Sequence, residues 1–385
     1  MIKTVISLSL GFFLIACSII PYQKKEIEIS KINESINTKD INNKDFNRYL
    51  IDHGYQDKSL PLKSWGLNEI TLAQQYFNYE IKTEKKLIEA IKVNENIALQ
   101  NPSTSIGVSV GRSDSNQELS KNIFGVNLRF LFERANKKLI RYEIAFNETQ
   151  HAILKHELRL WELRTDLLKK IVSFIELQDL INITRDELKL KHSILNMIKK
   201  RVEFGVLSQV DYNKAFLDLK FINQELLMMQ HKHTRIKKDL ATSIGLSIEK
   251  FNLIPIDTKG IKIYLNQTGN KFIHENNITD IKYRATMNSK KLRLLLASYA
   301  IAESKLKYEI ANQYPDFNFS PAYTYDLGSY IWDLGIDVIL ESNKKYEMFI
   351  DKARKIRASE ARKVMQYQLE IINESEILLS DFNYS

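Results

Sequence analysis

The side chains best suited to chemistry in this 385-residue chain are few and scattered. Of its seven histidines, His231 and His233 stand two apart, so on a helix they project in different directions and cannot grip one metal as an i, i+4 pair could. No glycine-rich loop follows a strand pattern, which leaves no cradle for a phosphate. Carboxylates are plentiful but sit among lysines at helical spacing, where a solvated face accounts for them. Asp333 and Asp337 fall in a strand pattern, as residues of a polar interior would. These patterns call for no enzyme, no cofactor and no metal. The one reactive group in a telling place is the thiol of Cys17, the only cysteine, so no disulfide can form within one chain. Lys3 and then an uncharged, mostly apolar stretch from Thr4 to Ala16 precede it. That stretch is too short to cross a bilayer comfortably, and residues 1–16 read as a signal peptide.

The segment Leu14-Ile15-Ala16-Cys17 resembles the lipobox of bacterial lipoproteins, in which the freed cysteine is acylated through its thiol. A chance cysteine near an ordinary signal peptide is the competing reading. Each acyl CH₂ buried in a membrane adds roughly 0.8 kcal/mol, and two chains anchor firmly. Ser18 follows, not aspartate, which in such lipoproteins points to the outer membrane. The net charge of +9 suits nucleic acid or an anionic membrane. It equally suits lysine-rich solvated helix faces, which is the reading we favour: lysines alternate with glutamates, and no nucleic-acid motif accompanies them.

The elements that would position these residues are mostly helices. The chain is 44% hydrophobic and 27% charged, with only six prolines and twelve glycines. Residues 17–65 are polar and asparagine-rich and read as an extended, wrapping N-terminal segment. From Leu67, Ile70, Ala73, Phe77, Ile81, Ile88 and Ile91 keep a helical stripe that should stop near Leu99, ahead of Asn101-Pro102. Two strand patterns follow. Ile106, Val108 and Val110 alternate with small residues; after a polar turn over residues 112–122, Val126, Leu128 and Phe130 alternate with Asn127 and Arg129. Such alternation fits a membrane barrel strand and a half-buried soluble hairpin equally. A very long helix then starts at Glu133. Between Gly125 and Gly245 there is no proline and one glycine, Gly205, so two long helices turn back on each other there. Pro255 and Gly260 mark an irregular connector, residues 251–283. The plan then recurs at an offset of about 210 residues. A helix from Lys290 to Ala311 ends at Tyr314-Pro315. Phe317 and Phe319 begin one strand, Leu334, Ile336 and Val338 another, and a long helix follows from about Asn343. The division is thus a first repeat over residues 66–250 and a second over residues 284–385.

This order, together with the tip Arg201, Gly205-Val206-Leu207-Ser208, Asp211 and the segment Tyr314-Pro315-Asp316-Phe317, resembles the TolC-like outer membrane efflux factors. The resemblance covers nearly all of residues 66–385. It implies a mainly α fold with a small β part. Long antiparallel helical hairpins carry four strands per protomer, which join a twelve-stranded outer membrane barrel in a homotrimer. It implies a lipid-facing set, Ile106, Val108, Val110, Val126, Leu128, Phe130, Phe317, Phe319, Leu334, Ile336 and Val338. It further implies that the tips meet a periplasmic adaptor, and through it an inner-membrane pump, for export of small molecules or proteins.

At the tip, Gly205 permits the positive φ of a tight turn. Ser208 caps the returning helix and Asp211 favours its dipole. These three build the turn, serve docking, or do both. Val206 and Leu207 are expected to be exposed docking points, and Arg201 to pair with an acidic group on a partner or neighbour. The second repeat's own tip would fall past Ser385, so this repeat is expected to be incomplete. The competing function is accordingly a non-conducting, lipid-anchored periplasmic coiled-coil interaction protein.

Overall fold

The computed structural model describes residues 20–37, 39, 41, 43–57, 60–112, 122–275, 278–340 and 342–384. Cys17, the signal peptide and most of the polar turn lie outside the described residues. The N-terminal segment is not extended throughout: it forms α1 (Ile29–Asn37) and α2 (Lys44–Asp52). Its polar composition hid the second helix. Asn43 caps α2 by accepting from the Phe46 N–H at 2.6 Å, and Phe46 and Leu50, one turn apart, are both fully buried.

The stripe read as one helix from Leu67 is two, α3 (Leu67–Phe77) and α4 (Tyr79–Ala98), broken at Asn78. Asn78 takes extended φ, ψ values of −66° and 126°, and its side-chain carbonyl accepts from the N–H groups of Glu80 and Ile81. Asparagine competes for backbone groups in this way, so it caps a helix more readily than it continues one. Strands β1 (Ser105–Arg112) and β2 (Asn122–Phe132) lead into α5 (Lys137–Glu203), whose 67 residues make a rod of about 100 Å. This helix starts four residues later than expected, because Ala135 and Asn136 both adopt φ of 55° ahead of it. The returning helix α6 (Gln209–Ile244) has 36 residues, about half the length of α5.

The connector is helical and not irregular: α7 (Ile248–Phe251) and α8 (Thr258–Glu275) are followed by α9 (Ile278–Asn288). The Asp257 carboxylate accepts from the Gly260 N–H at 2.9 Å and starts α8, which outweighs the propensity cost of Gly260. Then come α10 (Lys290–Asn312), β3 (Phe317–Asp326), β4 (Ser329–Val338) and α11 (Asn343–Tyr384).

The four strands form one antiparallel sheet in the order β1-β2-β3-β4. Each continues a helix: α4 feeds β1, β2 feeds α5, α10 feeds β3, and β4 feeds α11. The helices pack side by side in that same order, α4 on α5, α5 on α10, α10 on α11. The result is a single layer of strands prolonged by a single layer of helices.

Beyond the start of α4, α6 takes over as the partner of α5. The end of α6 abuts the start of α4, and its last carbonyls are met there. Asn78 donates to the Ser243 carbonyl at 2.9 Å, Gln74 to the same oxygen at 3.3 Å, and Lys39 to the Gly245 carbonyl at 2.6 Å. The main core gathers at this junction. Phe46, Ile70 and Phe77 meet Leu167 and Ile171 of α5, Leu240 and Ile244 of α6, and Phe251 and Ile261. A full Leu or Phe burial is worth about 1.5–3 kcal/mol, so this junction is the stable centre of the helical layer.

Gly245 shows how tight it is. Its φ is 92°, and a Cβ built there would lie 2.6 Å from the Phe77 carbonyl oxygen and 3.0 Å from the Asn78 Cα. Gly205 at the far turn has φ of 72° with open space around it. Gly205→Ala should therefore cost only the left-handed strain, about 1 kcal/mol. Gly245→Ala adds a backbone collision and should cost about 3 kcal/mol or more. Thermal melts of the two variants by circular dichroism check this, and equal shifts would contradict the packing described.

Candidate functional site

Two surfaces stand out, the sheet and the far turn of the α5–α6 hairpin. Cross-strand partners in a sheet share a face, so the register assigns every residue of the sheet to a side. Ile106 pairs with Leu128, Val108 with Val126 and Val110 with Phe124. Phe124 pairs with Tyr325, Val126 with Tyr323, Phe130 with Phe319 and Phe132 with Phe317. Phe317 pairs with Val338, Phe319 with Ile336 and Pro321 with Leu334. All eleven strand residues named from the sequence thus lie on one face, and no polar side chain interrupts it along these pairs. On the other face Ser105 pairs with Arg129, Gly107 with Asn127, Ser109 with Gly125, Gly125 with Thr324, Asn318 with Asp337, and Ala322 with Asp333.

The apolar face is bare in the single chain: Val108 is 71% exposed, Trp332 80% and Leu334 75%. A patch of this extent marks a protein or membrane contact. Strands of about ten residues, tilted, match the apolar band of about 25 Å of a membrane barrel. Aromatic rings flank the band. At the hairpin end Tyr323 and Trp332 have ring centroids 4.6 Å apart, with Tyr325 and Tyr330 beside them; at the helix end Phe132 stacks on Phe317 at 5.2 Å. The sequence reading missed the tyrosines and Trp332 because Pro321 interrupts the pattern of β3. The period-two spacing of Tyr323, Tyr325, Tyr330 and Trp332 was the available signal. Both edges, β1 and β4, have one side without a partner strand among the described residues.

The two repeats are joined just below the sheet. Lys137, 5% exposed, donates from Nζ to Asp316 Oδ1 and to the Tyr314 carbonyl, both at 2.8 Å. Asp316 Oδ1 also accepts from the Arg134 N–H at 2.9 Å. Beside this joint Arg141 makes a two-pronged ion pair with Glu133 that holds the guanidinium pKa above its ordinary value.

At the far turn the Arg201 carbonyl accepts from the N–H groups of Val206 (2.8 Å) and Leu207 (3.3 Å), with Gly205 left-handed between. Ser208 and Asp211 form a reciprocal capping box. Asp211 Oδ2 accepts from the Ser208 N–H at 3.0 Å and from its hydroxyl at 2.7 Å, while Ser208 Oγ accepts from the Asp211 N–H. These bonds from Ser208 hold the Asp211 pKa below its ordinary value. Gly205, Ser208 and Asp211 therefore build the turn. Arg201 is exposed, with no ion-pair partner among the described residues. Val206 is 69% exposed as expected, but Leu207 is partly buried. Phe204, 82% exposed, and Val210, 73% exposed, are further apolar residues at the apex, to which the sequence reading gave no role.

His233 packs against the Phe174 ring at 4.6 Å, and burial holds its pKa below the ordinary value; His231 faces solvent. The two are thus kept apart, as their spacing requires. Among the described residues no group of three or more His, Cys, Asp or Glu is placed to hold a metal ion, and no helix is long and apolar enough to cross a membrane.

No protein-family model matches the chain, and no curated protein matches its sequence. The backbone does have counterparts. The outer-membrane channel OprN is similar over 83% of this chain and 74% of its own length, with a TM-score of 0.65 and 12% identity. The outer membrane protein VceC of Vibrio cholerae is similar over 82% and 78%, with a TM-score of 0.64 and 13% identity. The CmeC outer membrane channel of Campylobacter jejuni is similar over 82% and 72%, with a TM-score of 0.61 and 11% identity. Identity this low carries the fold, not the roles of individual side chains.

Proposed function

We propose that this chain, which has the fold of the TolC-like outer membrane factors, is the outer membrane duct of a tripartite efflux or type I secretion system. Three copies pair edge to edge, β4 of one with β1 of the next, and close a barrel of twelve strands. The long helices below form the wall of a periplasmic tunnel. Acyl chains on Cys17 hold the N-terminal segment to the membrane. The duct itself is passive. A periplasmic adaptor seats on the hairpin turns, and an inner-membrane pump supplies the work. Neither nucleic acid nor a cofactor takes part.

One observation carries this reading: a register that puts the eleven apolar strand residues named from the sequence on one face, in a sheet whose two edges lack partner strands among the described residues. In lipid an open edge leaves backbone groups unpaired, at several kcal/mol each. Closure by further copies removes both edges at once and turns the Asp333 and Asp337 face inward, toward water. The test is conductance across a planar lipid bilayer by the purified protein. Discrete steps of constant conductance are expected. Insertion without conductance would leave the anchored-rod reading in its place.

The turn predicts a separable defect. Phe204 and Val210 touch little within the chain, so Phe204→Ser with Val210→Ser should leave the trimer intact. Losing two apolar anchors should weaken the adaptor by about tenfold or more. Export from cells, measured against the amount of trimer in their outer membranes, separates the two effects.

A further inference from the structure

The seam between α5 and α6 is apolar along most of its length, and one titratable ring lies in it. His233 of α6 stacks on Phe174 of α5, with ring centroids 4.6 Å apart and planes 25° off parallel. One turn back along α6, Met229 Sδ accepts from the Thr184 hydroxyl at 3.6 Å. On one side of His233 the junction core begins with Leu240 and Ile244; on the other the seam continues through Leu226 and Leu219 toward the far turn.

His233 Nε2 is buried and has no hydrogen-bond partner among the described residues. A neutral ring satisfies this place by carrying its proton on Nδ1. A second proton, on Nε2, would point into the seam at no acceptor. The surrounding charges also oppose it. Lys237, one turn on along α6, and Arg185 of α5 both repel a positive ring. Lys232 and Arg235 flank it on α6. The carboxylates of this stretch are engaged or turned outward: on α5 Asp179 pairs with Lys262 of α8 and Glu176 is exposed, and on α6 Asp239 is exposed. The Phe174 face attracts a cation. Burial, and then Lys237 and Arg185, outweigh it and hold the imidazole pKa below its ordinary 6.5. A phenylalanine would stack here as well and never charge.

We propose that His233 is an acid-released latch of the α5–α6 hairpin: on taking a proton from water at Nε2 it leaves Phe174 for solvent, and the two helices loosen between the junction core and the far turn. The sign follows from the shift. The packed ring stays neutral where a free histidine already charges, so the latch is intact above about pH 6.5 and weakens as the pH falls below that value. Both ends of the hairpin hold in acid. The junction keeps its apolar core, and the Asp211 carboxylate, its pKa held low by Ser208, keeps the capping box charged. The far turn is therefore held rigidly in neutral surroundings and loosely in acid ones. The latch needs only the hairpin and stands or falls apart from the transport reading.

Hydrogen–deuterium exchange of the full-length protein in detergent, at about pH 7.5 and about pH 5 and corrected for the chemical exchange rate, tests it. Peptides covering residues 174–184 and 226–236 should lose about tenfold or more of their protection at the lower pH, while those covering residues 240–246 keep theirs. His233→Phe should abolish the loss. His231→Phe, at the exposed neighbour, should leave it in place, and Arg185→Gln with Lys237→Gln should shrink it. Equal protection of the seam at the two pH values would overturn the proposal. So would a loss that persists in His233→Phe, or one spread evenly over seam and junction.

Discussion

Val108→Arg should abolish assembly in the outer membrane, while Ser109→Arg, one residue along the same strand, should leave it in place. The pleat puts the two on opposite faces of β1, where Val108 opposes Val126 and Ser109 opposes Gly125. An arginine facing lipid near the midplane costs about 2–4 kcal/mol, whereas one facing a lumen reaches water. A closed assembly of identical copies multiplies the first cost by the number of copies. The measurement is the amount of heat-modifiable protein in outer membrane fractions. Equal loss from the two variants would mean that both faces are packed against protein, as in a soluble hairpin.

Asp316→Ala should cost more than any change at the far turn, about 3–5 kcal/mol. It removes the acceptor shared by Lys137 Nζ and the Arg134 N–H and leaves a buried ammonium with only the Tyr314 carbonyl. Lys137→Met should cost less, because the Asp316 side chain is 25% exposed and can turn to water. The asymmetry is the diagnostic part. A buried charge stripped of its partner is worse off than a part-exposed one. Thermal melts of the two single variants and the double variant close the cycle, and the double should recover part of the loss of Asp316→Ala.

The contrast between repeats and joints also shows what the sequence could reveal. Periodicities were legible wherever one face of an element meets uniform surroundings. The alternation of Ile106, Val108 and Val110 located β1, and the single glycine in a long helical stretch located the turn at Gly205. Helix breaks made by side-chain capping were not legible. Asn78 and Asn43 act through bonds to the next backbone groups, and an asparagine in a polar stretch looks the same whether or not it caps. The Lys137–Asp316 joint was invisible for another reason: its partners are far apart in sequence, and nothing local marks a lysine for burial. Leu207 was overestimated and Phe204 overlooked because exposure at a tight turn depends on which way the chain leaves the helix. That is a matter of φ at Gly205 and not of composition.

The proposed duct depends most on the two sheet edges being joined between copies. Within one chain β1 and β4 are separated by two strands, about 14 Å at ordinary strand spacing, which is too far for a disulfide. A panel of cysteine pairs, one residue on the outer edge of β1 and one on that of β4, oxidised in intact outer membranes, therefore reports only contacts between molecules. Edge-to-edge closure predicts that pairs in register yield linked dimers and linked trimers, with no larger product. Monomers alone across the whole panel, or ladders extending beyond three copies, would contradict it.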